Sequence, residues 1–466
     1  MTTLKKDIVV IGGGPAGYIA AIKAARLGAD VLLAEENQVG GTCLNRGCIP
    51  TKYYAQSAHT ILSLAEASFR GIKVADPTVT IDMKQALAGK NKTVRKLTSG
   101  VQGLLKQAGV TVVNQRATVT KDKGVRLQDG TMIESGAVIV ATGSQSVRIP
   151  VEGIDSPLVL DSDRFLDLDH VPKRLAVIGG GVIGVEFAAI YQSFGSKVTI
   201  IEAQPNILPM FDKQAVETVA AVLRKRGITI HVSSEVLRID TKDKEASVVL
   251  ANGTSVDADL ILLAVGRKSN LCCIDGDASL KTDRGRIVTD ETGMTSHSGI
   301  YAAGDVTGRK LLAHAAYQMG ETVAHNACVD TRIINAPKKK FCLDIVPSVV
   351  YSIPEVASVG LTEEEASAIY DTVVGKFPLS ANGRALSGGE PDGFVKVVAD
   401  KKYGQILGVC CVGMFASEII NEAAMAMRHE LTVHEVAETV HGHPTVSEAL
   451  KEAAAMCIGQ CYHWSS

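Results

Sequence analysis

The chain has 466 residues, too many for a single hydrophobic core, so roughly two to four domains are expected. Hydrophobic residues make up 46% and charged residues 21%, and the net charge is −2, a balance that fits a globular protein and points to no polyanionic partner. Glycine is frequent at 44 while aromatics are only 4%, which excludes a base-stacking nucleic-acid platform and suits an α/β protein with many tight turns.

The N-terminus enters a strand at once. Its apolar run, Ile8 to Ile11, is far too short for a signal segment or a membrane span, and no later run reaches spanning length without charge. A cytoplasmic protein without a membrane partner is expected. The stretch DIVVIGGGPAGYIAAIKAARLGADVLLAEE reads strand, turn, helix, strand. Gly12, Gly14 and Gly17 form G-x-G-x-x-G, and Glu35 closes the next strand 23 residues after Gly12. Gly12 allows the tight turn, Gly14 lets a pyrophosphate approach the backbone, and Gly17 lets the helix pack on the strand. The helix N-terminus offers free N–H groups, and the acid accepts ribose hydroxyls.

GGTCLNRGCIPTK follows, with Cys43 and Cys48 five residues apart. In an ideal helix such residues lie roughly 8.6 Å apart at Cα, and a disulfide needs less than about 7 Å. A joined pair therefore requires a distorted segment. A redox pair, inert buried thiols and a metal clip all remain open at this spacing, although no second cysteine pair or His-x-His lies nearby to complete a metal site. Ten cysteines in a chain this long do not form a secreted-type disulfide framework.

VIVATGSQ (Val138 to Gln145) is a short apolar strand ending in a turn. RLAVIGGGVIGVEFAAIYQSFGSKVTIIEA then repeats the first plan. Gly179, Gly181 and Gly184 mark the turn, and Glu202 again lies 23 residues after the first glycine. Two complete copies point to two dinucleotides, one held tightly and one exchanged. Glu202 would repel a 2′-phosphate, and no Arg follows it closely, so NAD is favoured over NADP. LILLAVGRKSN (Leu260 to Asn270) repeats the strand-and-turn pattern. GIYAAGDV (Gly299 to Val306) ends on Asp305, placed either to hold a cofactor hydroxyl or to cap a helix. APKKKF (Ala336 to Phe341) is a solvated connector.

A dithiol that exchanges with a substrate needs a base, because the thiolate is the nucleophile. HGHPTVSEAL offers His441, His443 and Glu448. Glu448 could orient the His443 imidazole; a metal pair or a plain surface turn fits the spacing equally. The neighbouring pairs Cys272–Cys273 and Cys410–Cys411 sit in apolar or β-like sequence and are expected to be buried.

GGGPAGY, GGTCLNRGCIPTK, ATGS, GGGVIGVE, AVGR, AAGDV, VPSVVYSIPEVASVG, ANGRA and HGHPTVSE occur in this order along nearly the whole chain. In this order they resemble the pyridine-nucleotide disulfide oxidoreductases, and within them the branch that oxidises dihydrolipoamide. The resemblance implies two Rossmann-like dinucleotide-binding domains and a C-terminal α+β dimerisation domain. FAD binding would occupy 1–145 and a return segment 269–340, NAD binding 146–268, and the subunit interface 341–466.

It further implies that Gly12, Gly14, Gly17, Glu35, Gly41, Thr42, Lys52, Ala117, Thr142, Gly143, Asp305 and Ala313 hold FAD. Gly179, Gly181, Gly184, Glu186, Glu202, Val236 and Gly266 would serve NAD. Cys43 would be the interchange thiol and Cys48 the flavin-side, charge-transfer thiolate. His443 would be the acid–base catalyst, oriented by Glu448 and supplied by the second subunit of an obligate homodimer. The implied substrate is lipoamide carried on acyltransferase or H-protein components of multienzyme complexes. Relatives acting on glutathione, thioredoxin or mercuric ion mostly use NADPH, which Glu202 opposes. A non-catalytic flavin subunit would lack a thiol, the histidine or a nucleotide acid, and none is missing. Two departures stand out. Arg46 lies between the cysteines where an apolar residue is usual, and Cys457 and Cys461 lie near the end, where inert thiols on the last helix are expected.

Overall fold

The computed structural model describes residues 3–73, 79–120, 123–274, 278 and 280–465. The chain forms two compact units. One comprises Met1–Tyr53, Lys84–Val147 and Gly266–Leu343; the other comprises Tyr54–Met83, Arg148–Val265 and Asp344–Ser466. The seams expected at 145/146, 268/269 and 340/341 stand beside edges at 147/148, 265/266 and 343/344. The second unit takes in both the expected NAD and interface segments. It also takes Tyr54–Met83, which no composition change sets apart.

In the first unit, strand Thr3–Ile11 pairs in parallel with Val31–Ala34 on one side and Met132–Val140 on the other. Thr111–Val113 and Ile300–Ala302 extend the parallel set. The antiparallel strands Gly124–Leu127 and Ala117–Val119 complete seven. The inner strands are buried on both faces, which is why they read as unbroken Val/Ile/Leu runs. Helix Pro15–Arg26 starts on a proline, whose missing N–H costs nothing in a first turn. Its buried face is largely Ala and Gly, so it lies close to helix Ala313–Asp330. A Cβ at Gly320 would collide with the Ala16 carbonyl oxygen.

The second unit repeats the nucleotide plan. Strand Arg174–Ile178 lies between Lys197–Ile201 and Leu260–Leu263, and Thr229–His231 and Val159–Asp161 complete a five-stranded parallel sheet. A three-stranded antiparallel sheet, Val236–Lys242, Glu245–Leu250 and Ser255–Ala258, accompanies it. The C-terminal part is a five-stranded antiparallel sheet under helices Ala416–Arg428, Val433–Glu438 and Glu448–Cys457. Lys396 in this sheet is 2% exposed and meets both Asp212 and Glu363 at 2.7 Å, the pairing that a buried cation requires.

Candidate active site

In the first unit several of the expected nucleotide groups sit just past the carboxyl ends of parallel strands. Gly12 follows Thr3–Ile11, Glu35 follows Val31–Ala34, Thr142 and Gly143 follow Met132–Val140, and Asp305 follows Ile300–Ala302. Ligands of open α/β sheets bind at this edge. The three glycines do different work. Gly12 has φ +100°, and a Cβ there would strike the Ala141 carbonyl oxygen. A Cβ on Gly17 would strike the Gly12 carbonyl oxygen. Gly14 faces open space, with only Gly41 Cα at 3.8 Å. That open side beside a helix N-terminus is the place for a phosphate, so the residues present fit a bound dinucleotide.

Glu35 accepts the N–H of Gly13 at 2.6 Å on one oxygen and that of Asn37 at 2.8 Å on the other. It thus ties the turn to the strand that carries the acid. The second unit copies this arrangement. Glu202 accepts from Gly180 at 2.6 Å and from Gln204 at 2.7 Å. A Cβ on Gly184 would strike Gly179, while Gly181 has nothing within 4 Å. Val236 begins its strand half-buried, and Gly266, which opens the last segment of the first unit, is at φ +123° with nothing within 4 Å of a Cβ. Glu186 is buried in helix Val182–Ser193 and accepts the Tyr351 N–H at 2.8 Å.

Asp305 makes no helix cap among the described residues. Its carboxylate accepts the hydroxyl of Ser144, the first residue of strand Ser144–Ser146, at 2.6 Å. Arg267 Nε donates to the same Ser144 oxygen at 2.8 Å, and Ser269 donates to the Asp305 carbonyl at 2.9 Å. Burial pushes the Asp305 carboxyl above its ordinary range, against the pull of Ser144 and Arg267. Thr142 donates to the Asn270 carbonyl at 2.7 Å. Ala117 is buried in its strand, and Ala313 opens helix Ala313–Asp330 after Leu312, whose side chain makes no capping bond. The backbone N–H groups of that first turn are therefore not satisfied by a cap.

The dithiol lies on a broken helix. Helix Gly41–Arg46 carries Cys43, Gly47 breaks it at φ −151° and ψ −109°, and helix Cys48–Ala65 restarts on the second cysteine. This break is the distortion that the spacing requires, and it brings the two thiols into hydrogen-bond contact. The glycine pair before Cys43 has its own reason. A Cβ on Gly41 would come 2.6 Å from Gly14 Cα, so the dithiol helix starts against the first nucleotide turn, with Thr42 beside Cys43. Cys43 is buried and Cys48 exposed. The hydrogen bond with Cys48, then burial, holds the Cys43 thiol well above its ordinary value; Tyr317 by hydrogen bond and Lys52 by charge pull the other way. Nothing in the sequence marks Tyr317, a single tyrosine in a helix.

In the second unit His443 Nδ1 meets Glu448 Oε1 at 2.9 Å, and the other Glu448 oxygen accepts the Thr445 N–H at 2.8 Å. Burial alone would raise the Glu448 carboxyl, but the Thr445 N–H and His443 outweigh it and hold it below its ordinary value. His443 is 79% exposed at its side chain. His441 instead is buried on Glu422 at 2.8 Å. Each histidine thus has its own carboxylate. Among the described residues no group of three or more His, Cys, Asp or Glu is placed to hold a metal.

Residues 6–320 match the pyridine nucleotide-disulphide oxidoreductase model, and residues 346–454 match the dimerisation domain of the same group. The chain belongs to this oxidoreductase family. Dihydrolipoyl dehydrogenase of Thermus scotoductus is 41% identical over 98% of both chains, and that of Chlamydia pneumoniae is 37% identical over 99% of both. Among solved structures, LpdA from Mycobacterium tuberculosis superposes with a TM-score of 0.88 at 27% identity, covering 98% of this chain and 99% of that one. The HOCl-induced flavoprotein disulfide reductase RclA from Escherichia coli gives 0.87 at 29%, covering 97% and 99%.

Of the pair near the end, Cys457 closes the last helix and Cys461 lies beyond it, not on it as expected. All ten are free thiols. Cys457 contacts the carbonyl oxygens of Ala453 and Val397, and burial pushes it to about 11. Cys461 donates to Glu452 at 3.1 Å and is likewise raised, by burial first. Cys410 and Cys411 are buried on strand Ile406–Val412 as expected. Cys272 corrects an expectation: it is exposed, because the turn after Asn270 sends only Cys273 inward, toward Thr142 at 3.8 Å. The Ala336 to Phe341 connector is exposed at Pro337 to Lys340, as expected, and its lysines make surface ion pairs, Lys338 with Asp330 at 2.8 Å and Lys340 with Glu291 at 3.0 Å. Arg46 is exposed in the last turn of the Cys43 helix.

Proposed function

We propose that this chain is an NAD-dependent dihydrolipoamide dehydrogenase. The observation that carries the reading is the dithiol seated against a glycine turn whose middle glycine is open to a phosphate, in a chain that holds a second, acid-ended copy of that turn. The relatives that share nearly its whole length carry the same name. FAD would rest on the first unit, through Gly12 to Gly17, Glu35, Lys52, Asp305 and the helix that begins at Ala313. NAD would rest on Gly179 to Gly184, Glu202, Val236 and Gly266, with Glu186 beside the nicotinamide.

A substrate thiol passes its proton to His443 Nε2, and its sulfur attacks Cys43 of the joined pair. The Cys43–Cys48 bond breaks and Cys48 leaves as the thiolate. His443 gives that first proton up to solvent, Nε2 then takes the proton of the second substrate thiol, and the resulting sulfur closes the substrate disulfide and releases Cys43. Bound FAD and NAD+ supply the remaining chemistry, passage of the electron pair from the dithiol to the nicotinamide. Glu448 fixes the imidazole with Nδ1 engaged, so Nε2 is the nitrogen that moves the proton.

His443 would come from the second copy of a homodimer. Phe415, Met425 and Val440, exposed apolar residues within the dimerisation segment, support a face that a second copy covers. The partners would be lipoamide-bearing components of a multienzyme complex. The eight free cysteines outside the redox pair suit the reducing cytoplasm, and no helix among the described residues is long and apolar enough to cross a membrane. A steady-state assay with dihydrolipoamide tests the reading: NAD+ should support turnover and NADP+ should not. Faster turnover with the phosphorylated nucleotide, or no reaction with lipoamide, would assign the chain to another disulfide reductase, the direction in which the likeness to RclA points.

A further inference from the structure

ANGRA, Ala381 to Ala385, has no part in the chemistry above. It lies in the second unit, as do His443 and Glu448. Asn382 precedes helix Gly383–Gly388 with an extended backbone, φ −92° and ψ 119°, and its Oδ1 accepts the Ala385 N–H at 2.9 Å. Asparagine is among the best residues for such a cap. The cap uses only one end of the carboxamide. The other end, Nδ2, donates to the Thr445 carbonyl at 3.0 Å, 63 positions along the chain. Asn382 is 4% exposed, so both bonds lie out of water. A donor at one end and an acceptor at the other fix which way the amide faces.

Thr445 stands between His443 and Glu448 in the chain. Its N–H donates to Glu448 Oε2 at 2.8 Å, its hydroxyl donates to the Gly442 carbonyl at 2.8 Å, and its own carbonyl takes the Asn382 amide. Glu448 Oε1 meets His443 Nδ1 at 2.9 Å. One carboxylate oxygen is thus held by the turn and the other holds the imidazole. The His443 side chain is 79% exposed, so packing does little to fix the ring and these bonds must. Ser447, which precedes helix Glu448–Cys457, makes no side-chain capping bond, so the turn is not tied down from that end. The short helix behind Asn382 is anchored at its far end as well. Arg70 donates to the Ser387 carbonyl at 3.0 Å and also to that of Gly388.

We propose that Asn382 is a positioning residue for the proton transfer. It anchors Thr445, and through Thr445 the Glu448 carboxylate that sets the His443 ring. This rests on the reading of His443 as the base. Asn382 touches neither substrate nor imidazole, and no proton passes through it. Its amide is neutral, so it holds the Thr445 carbonyl equally whether His443 carries a proton or has given it up.

Two variants separate the cap from the tie to Thr445. Asn382→Ser keeps a capping oxygen, since serine caps about as well as asparagine, but that single oxygen cannot also span to Thr445. Asn382→Ala loses both bonds. Reduction of the holoenzyme by dihydrolipoamide is followed by stopped flow over a range of concentrations, and melting temperatures are measured beside it. Both variants should lower the limiting rate about tenfold, the scale of one lost hydrogen bond, and leave the half-saturating concentration within about twofold. Only Asn382→Ala should melt clearly earlier, because only it loses the cap. The deciding comparison adds Asn382→Ser to His443→Gln. With the imidazole gone there is nothing left to position, so the second change should slow reduction by less than about twofold. An undiminished limiting rate in Asn382→Ser would overturn the proposal. So would a further tenfold loss in the His443→Gln background, which a general loosening of the fold would give. Near-normal reduction in His443→Gln alone would overturn the reading of the base, and the proposal with it, so the two failures are distinct.

Discussion

Glu448 fixes what His443 can do. With Nδ1 on the carboxylate at 2.9 Å, Nε2 of this exposed imidazole is the nitrogen left to move a proton in the proposed reaction. Because Glu448 is held below its ordinary value, it stays ionised through the neutral range, and its support fades only as pH falls through that lowered value. His443→Gln should slow dithiol oxidation by about 10²-fold or more, the usual scale of a lost general base. Stopped-flow reduction by dihydrolipoamide measures it, and near-normal rates would remove His443 from the role. The cysteines should separate as cleanly. Cys48→Ser is expected to abolish the long-wavelength absorbance of the reduced holoenzyme; an unchanged band would mean that Cys48 is not the thiolate against the flavin. Cys43 was legible as one of a pair from spacing and flanking motifs. Tyr317 was not, because its meaning comes wholly from a neighbour 274 positions away in the chain.

At the scale of elements, the strand–turn–helix unit occurs twice, and its glycines are not equivalent. Gly184→Ala puts a methyl into the Gly179 carbonyl and should cost about 1–3 kcal/mol, the usual penalty for overpacking. Gly181→Ala meets nothing within 4 Å and should leave the melting temperature nearly unchanged. A methyl in the phosphate's place should nevertheless weaken NADH binding at least tenfold. Differential scanning and NADH titration separate the two effects. Equal affinity in Gly181→Ala would mean that the open side faces no phosphate. These roles were readable from G-x-G-x-x-G because the tight turn and the helix packing are local demands. Glu35 and Glu202 were also readable, from the 23-residue spacing. Their bonds to Gly13 and Gly180 show why the spacing holds, since the acid must reach back to the turn. The break at Gly47 was legible only as a need for distortion, since a glycine permits many conformations and the structure selects one.

Over the whole molecule, stability should carry a pH signature from His441. Glu422, on helix Ala416–Arg428, holds this buried histidine above its ordinary value, against the opposing effect of burial. A folded-state value raised above the unfolded one contributes stability fully below about pH 6.5, and that contribution is lost as pH rises through the raised value. Glu422→Gln should therefore melt earlier than the unsubstituted protein near pH 6 and approach it near pH 9. A pH-independent difference would show packing loss in place of charge. The sequence by itself determined the two nucleotide plans, the dithiol, the candidate base and the family, because each rests on residues close in the chain whose chemistry is fixed by type and spacing. Only the tertiary structure decided what faces them: Ser144 and Arg267 around Asp305, Glu422 on His441, Gly41 against Gly14, and Tyr317 on Cys43. Those pairings join residues far apart in sequence, and side-chain identity alone does not specify which distant neighbour the sheet and helix packing will bring.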